Sequence, residues 1–237
     1  MRIKKLKTII NKIVILILII FCFESCSSQN RKQQYKEKRN LAFKEYMTAQ
    51  KIPFKELNDS IFSAHYGDFL NYEKKIKLES NPYLKINKVY VHYRTPASVE
   101  FIIYSDKETF CISTSDLDID GKVLSFPENG IIKVLQPITV EDFGDFEVTG
   151  NIIKTRKRHT TPFNQWYDYV SGTIKNDTIY FTEKFIGKEK TFEKKTFAKT
   201  KKTDFKEVYQ PGLKTRKYTN GAGLISYEVT GEFNVEK

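Results

Sequence analysis

A mainly β fold is what this sequence predicts: an antiparallel meander, closed as a barrel or strongly curved, preceded by an N-terminal amphipathic helix. Three observations lead there. The 237 residues hold 14 Tyr and 18 Phe beside abundant Thr, Val and Ile, the residue types that suit a pleated, half-buried surface. From residue 88 onward, short runs alternate apolar and polar positions at period two and recur roughly every ten residues. Asn-Gly and Asn-Asp pairs separate several of these runs, and such pairs supply the positive φ that tight hairpins require. Short strands at regular spacing argue for an all-β meander rather than a parallel sheet.

The chain opens differently. Arg2, Lys4, Lys5, Lys7 and Lys12 precede residues 13–26, IVILILIIFCFESC, in which the eleven residues from Ile13 to Phe23 are all apolar. A basic leader and an apolar run of about 7–15 residues make a secretory signal, too short for the ~20 residues of a spanning helix. The Ser25-Cys26 step after it resembles the lipobox of bacterial lipoproteins, and SCSSQN resembles the start of their tethers. Phe23 stands where that pattern usually has Leu, and Glu24 where it has a small residue. The resemblance implies cleavage before Cys26, a diacylglycerol on its thiol and an acylated new amine. It also implies a bacterial cell-envelope location, the outer membrane in preference to the inner. The expected divisions are a signal peptide over 1–25, a lipidated tether over 26–34, a helical or irregular segment packing on the sheet over 35–87, and a β domain over 88–237.

Residues 35–50 (YKEKRNLAFKEYMTAQ) read as a helix, with Tyr35, Ala42, Phe43, Tyr46 and Met47 at 3–4 spacing and Pro53 stopping it nearby. That face suits packing on the domain or lying on a membrane beside the anchor. Residues 55–87 predict only short helical or irregular pieces contributing Leu57, Ile61, Phe62, Phe69 and Leu70, beside Phe54, to a core, with a turn at Asn81-Pro82. The strand runs then begin. KVYVHYRT sets Val89, Val91 and Tyr93 against Tyr90, His92 and Arg94; SVEFIIYS points Val99, Phe101 and Ile103 inward; Phe110, Ile112 and Thr114 continue the alternation. Further strands are expected in IIKVLQPITV, FEVTGNIIKT, DYVSGTIKND, TIYFTEKFIG, KTFEKKTFAKT and LISYEVTGEF.

Cysteine arithmetic is short. With Cys22 in the leader and Cys26 the lipid site, Cys111 has no thiol partner, so the fold must hold by its core. Its place between Phe110 and Ile112 predicts a small buried residue rather than a nucleophile. Charge is uneven: three Lys/Arg stand against eleven Asp/Glu over residues 98–150, and seventeen against seven over 151–217. Such asymmetry marks either a surface facing anions or an ordinary solvated one.

Four groups of residues bear on chemistry. Asp116, Asp118 and Asp120 at alternate positions before Gly121 have the oxygen ligands and turn residue of a calcium loop. Pro127 occupies the place of the bidentate acid, leaving Glu128 as an outside ligand; plain turn chemistry is the competing explanation. Phe163, Trp166, Tyr167 and Tyr169 form the densest aromatic group, fit either to line a ligand cavity or to plug a barrel end. Glu141, Asp142, Asp145 and Glu147 crowd one stretch and offer carboxylates for glycosidic chemistry. No catalytic residue is nominated among them, because no hydrolase motif accompanies them. Finally, Lys154–His159 and residues 188–206 interleave cations with phenylalanines, a composition suited to anionic lipid or an acidic partner. Nucleic acid is not expected for an exported chain.

The aromatic hairpins with a single Trp are similar in pattern to lipocalin-like β-meander lipoproteins, which implies a barrel and no particular binding residue. The function expected from all this is non-enzymatic: a lipid-anchored envelope protein binding an apolar ligand or an envelope partner. An interaction or inhibitor module using a charged face is the alternative, and an envelope hydrolase the third. No cofactor is expected beyond the calcium noted above.

Overall fold

The computed structural model describes residues 31–117, 121–188, 191–193 and 199–235, and these form two compact units, the first ending at Tyr72 and the second beginning at Glu73. The signal and Cys26 lie outside the described residues. Among those described, no helix is long and apolar enough to cross a membrane.

In the first unit, helix α1 (residues 31–49) buries Phe43, Tyr46 and Met47. Its end is a Schellman turn. Lys51 takes φ 55°, its N–H donates to the Thr48 carbonyl, and the N–H of Ile52 reaches the Met47 carbonyl at 2.9 Å. Helix α2 (Asp59–Glu79) is capped by Asn58, whose Oδ1 accepts from the Ile61 N–H at 3.0 Å, with Asp59 in the first turn. Phe43 stacks on Phe62 at 4.5 Å and meets Phe69 edge-on at 5.1 Å. Residues 55–87 do not break into short pieces as expected: 21 of them form this one helix. The helix hid because its apolar residues are sparse and serve two clusters, Phe62 and Phe69 in the first unit and Leu78 in the second.

The second unit holds, among the described residues, ten strands: β1 (Val89–Thr95), β2 (Ser98–Tyr104), β3 (Thr109–Asp116), β4 (Ile131–Thr149), β5 (Ile152–Thr161), β6 (Asn164–Lys175), β7 (Thr178–Gly187), β8 (Thr200–Tyr209), β9 (Leu213–Thr219) and β10 (Ile225–Asn234). Strands β1 to β8 form a closed antiparallel ring in the order β3-β2-β1-β8-β7-β6-β5-β4, with β3 returning to β4; β10 and β9 continue outward from β4. The choice between barrel and open sheet thus falls to a closed ring carrying a two-stranded extension. The 19-residue β4 makes this possible. Its first part pairs with β10 over Ile131–Glu141, and its last part pairs with β5 over Asp145–Thr149.

Two cores result, and β1 and β2 face both. Tyr90, Ile102 and Tyr104 join Phe110, Phe146, Ile153, Ile174, Ile179 and Phe181 inside the ring. Val89, Val91, Val99, Phe101 and Ile103 pack outside it against Ile132, Val140, Tyr227, Val229 and Phe233 of β4 and β10. One inward face was expected for these strands; burial on both faces explains why their sequences run nearly continuously apolar. The expected hairpins at Asn129-Gly130 and Asn176-Asp177 are present, all four residues having positive φ. FEVTGNIIKT is not one strand but the β4–β5 hairpin, turning at Gly150 with φ 58°.

Candidate binding site

Among the described residues, aromatic side chains fill the ring interior between β1, β2, β4, β7 and β8. Tyr104 meets Phe146 edge-on at 5.0 Å and Tyr90 at 5.6 Å, and Phe181 stacks on Phe205 at 4.7 Å. A buried acid enters this interior. Period two along β8 places Glu207 on the same face as Phe205 and Tyr209, and only 6% of it is exposed. Its Oε2 accepts a hydrogen bond of 2.7 Å from the Tyr104 hydroxyl. Burial pushes the Glu207 carboxyl up to about 8, the charge of Glu100 adds to this, and the Tyr104 hydrogen bond opposes it. Burial likewise raises the Tyr104 hydroxyl well above the phenol range. Sequence reasoning missed Glu207 because it sits in a cationic stretch; the Phe205-Glu207-Tyr209 alternation was the signal that could have found it.

The four predicted aromatic residues do not converge. Phe163 is 99% exposed in the β5–β6 turn. Trp166 stacks on His159 across the β5–β6 ladder at 5.2 Å and 7°, while His159 Nε2 lies 3.0 Å from Asp168 Oδ2. Tyr167 and Tyr169 point from the opposite face of β6, where Tyr169 stacks on Phe185 at 4.7 Å and Phe192 completes the cluster. The period of two separates what one dense stretch of sequence had suggested was together.

The acidic and basic stretches meet. Strand β4 lies beside β5, so Arg156 donates from Nε and Nη2 to Asp145 Oδ2 at 3.0 and 2.7 Å, and Lys154 approaches Glu147 at 3.2 Å. The nearly buried Arg156 guanidinium also lies 4.6 Å from the Phe192 ring and 5.4 Å from Tyr167. Burial, with the charge of Asp145, raises the Asp142 carboxyl. Across this ladder two of the acids of the first stretch pair with two cations of the second.

Of the calcium set, Asp116 ends β3 opposite Ser98, and Glu128 sits at the β4 hairpin, its backbone bonded to Ile131. Asp118 and Asp120 lie outside the described residues. Among the described residues no three His, Cys, Asp or Glu side chains are grouped to hold a metal ion. Cys111 is fully buried as expected, and burial pushes its thiol up to about 12.

The ring's last closure leaves a groove on its outer wall. β1 and β8 pair through Tyr90–Tyr209 and Val91–Val208. Next to these pairs, His92 Nδ1 lies 3.0 Å from the Lys206 carbonyl. Over this seam lies a groove of about 340 Å³, with Val91, Val208, Tyr93 and Tyr180 in its floor and Gln210 and Asn234 in its rim. A wider groove of about 760 Å³ lies in the first unit beside α1 and α2. There Arg39 is already engaged, its guanidinium 4.9 Å from the Phe69 ring and its Nε donating to the Tyr66 hydroxyl. Comparison of the chain with protein-family models, curated proteins and solved structures finds no match.

Proposed function

We propose that this protein is a lipid-anchored component of the bacterial cell envelope whose β domain is a non-enzymatic binding module, engaging its partner on the outer wall of the strand ring. The observation that carries the choice of surface is the filled interior. Tyr104, Phe146 and Phe181 are each no more than 1% exposed and occupy the space in which a barrel would hold an apolar ligand. A groove over the β1–β8 seam gives the outer wall a concave surface. Docking through a face of one charge has less support, because Arg156 and Lys154 already pair with Asp145 and Glu147. The same pairing occupies two of the acids that glycosidic chemistry would use.

The anchor rests on the leader and on Cys26. Two or more acyl chains at ~0.8 kcal/mol per buried CH₂ hold a protein stably on a bilayer, whereas one chain gives marginal binding. Metabolic labelling with an alkyne fatty acid tests this directly. The wild-type chain takes up label and fractionates with membranes, and Cys26→Ala loses both. Equal labelling of the two, or none in either, removes the anchor.

A further inference from the structure

Gln210 follows β8 at the rim of the seam groove. Only 6% of it is exposed, and its Oε1 accepts from the Asn234 N–H at 3.2 Å. That bond fixes the amide so that its NH₂ group has no hydrogen-bond partner among the described residues, on a side chain that lines the groove. Tyr93 is oriented by the same strand end, its hydroxyl donating to the Asn234 carbonyl at 3.3 Å. Tyr180 stands across the β7–β8 ladder from Lys206 on the outer wall and is 46% exposed. Val91 and Val208, paired side by side, make the apolar floor between them.

We infer that this groove binds a single neutral sugar ring. The inference rests on the reading of the β domain as a binding module. A pyranose presents an apolar C–H face and a rim of hydroxyls, and the groove presents the counterparts: the exposed face of Tyr180 and the amide donor of Gln210. A purely apolar ligand would cover the amide without pairing it, which costs roughly 1–3 kcal/mol. An extended peptide gains no added-strand bonds where β1 and β8 already pair at the floor of the groove. Size agrees, since about 340 Å³ is at the small end of the ~300–1,000 Å³ typical of ligand sites.

The test uses the full-length lipidated protein in detergent. Saturation-transfer NMR is run with glucose, galactose, mannose and N-acetylglucosamine, and with glucuronic acid as the anionic counterpart. The expected result is transfer to the ring C–H protons of at least one neutral sugar, with binding weakened at least tenfold in Tyr180→Ala at an unchanged melting temperature. Gln210→Glu, which keeps the acceptor and deletes the donor, weakens binding similarly. Absence of transfer at millimolar sugar overturns the inference, as do transfer that survives in both variants and transfer from glucuronic acid alone. A photo-crosslinker at position 180 separates this from failure of the parent reading. A crosslinked envelope protein without any sugar signal overturns the sugar and leaves the binding module standing; neither crosslink nor sugar removes both.

Discussion

The Tyr104 hydroxyl donates to Glu207 Oε2 at 2.7 Å inside the ring of strands, joining β2 to β8 across residues 103 positions apart. The pair gives the carboxyl a partner where water is excluded, and burial favours its protonated form.

Stability should therefore fall as pH rises. The folded-state value of about 8 lies above the ordinary 4.5, so the native state binds the extra proton between them. The contribution of Glu207 is complete below about 4.5 and is lost as pH climbs through about 8, at no more than about 1.4 kcal/mol per pH unit. Urea unfolding midpoints from pH 5 to 9 check this. The wild-type midpoint falls relative to that of Glu207→Gln, which cannot ionise; parallel curves would remove the coupling.

The strands were legible because period two survives in a half-buried sheet, and Asn129-Gly130 and Asn176-Asp177 announce their turns chemically. Ring closure was not legible. It depends on β3 meeting β4 and on β1 meeting β8, pairings far apart in sequence that no local pattern encodes. β9 went unread as well: LKTRKYT is cationic, and only Leu213 of it is buried. For the site, clustering in sequence misled in one place and concealed in another. Trp166 and Tyr167 are neighbours on opposite faces, while Tyr93, Tyr180 and Gln210 converge from three separate regions of the chain.

Replacing Arg156 by Ala strands Asp145 and opens the Tyr167–Phe192 cluster, with an expected loss of about 2–3 kcal/mol. Arg156→Lys should recover less than half of it. An ammonium keeps the charge but cannot offer two fixed donors to Oδ2 while lying flat on Phe192. Chemical denaturation of the three proteins decides, and a Lys variant as stable as wild type would show that charge alone matters.

Gly231 sits in a β-bulge of β10 with φ 110°, and a Cβ built there would lie 2.3 Å from the Gly212 carbonyl oxygen. That oxygen belongs to backbone and cannot swing aside as a side chain would. Gly231→Ala should cost at least about 2 kcal/mol, while Gly221→Ala, whose Cβ meets nothing within 4 Å, should change stability by less than about 0.5 kcal/mol. Thermal melts of both variants check the contrast, and equal shifts would place the cost elsewhere than in the bulge.

Cys111 lies at 0% exposure between β2 and β4, and its thiol is pushed up to about 12 by burial, with the Asp142 charge adding to the shift. Thiolate is the reacting species, so both access and ionisation protect it. In a chain of residues 27–237, Cys111 is the remaining thiol. Its labelling by an aromatic disulfide at pH 8 should follow unfolding of the second unit, with a urea dependence matching that of global denaturation. Labelling at a rate independent of urea would mean that β3 separates from β4 locally, and the ring would then open at this pairing before the rest of the fold gives way.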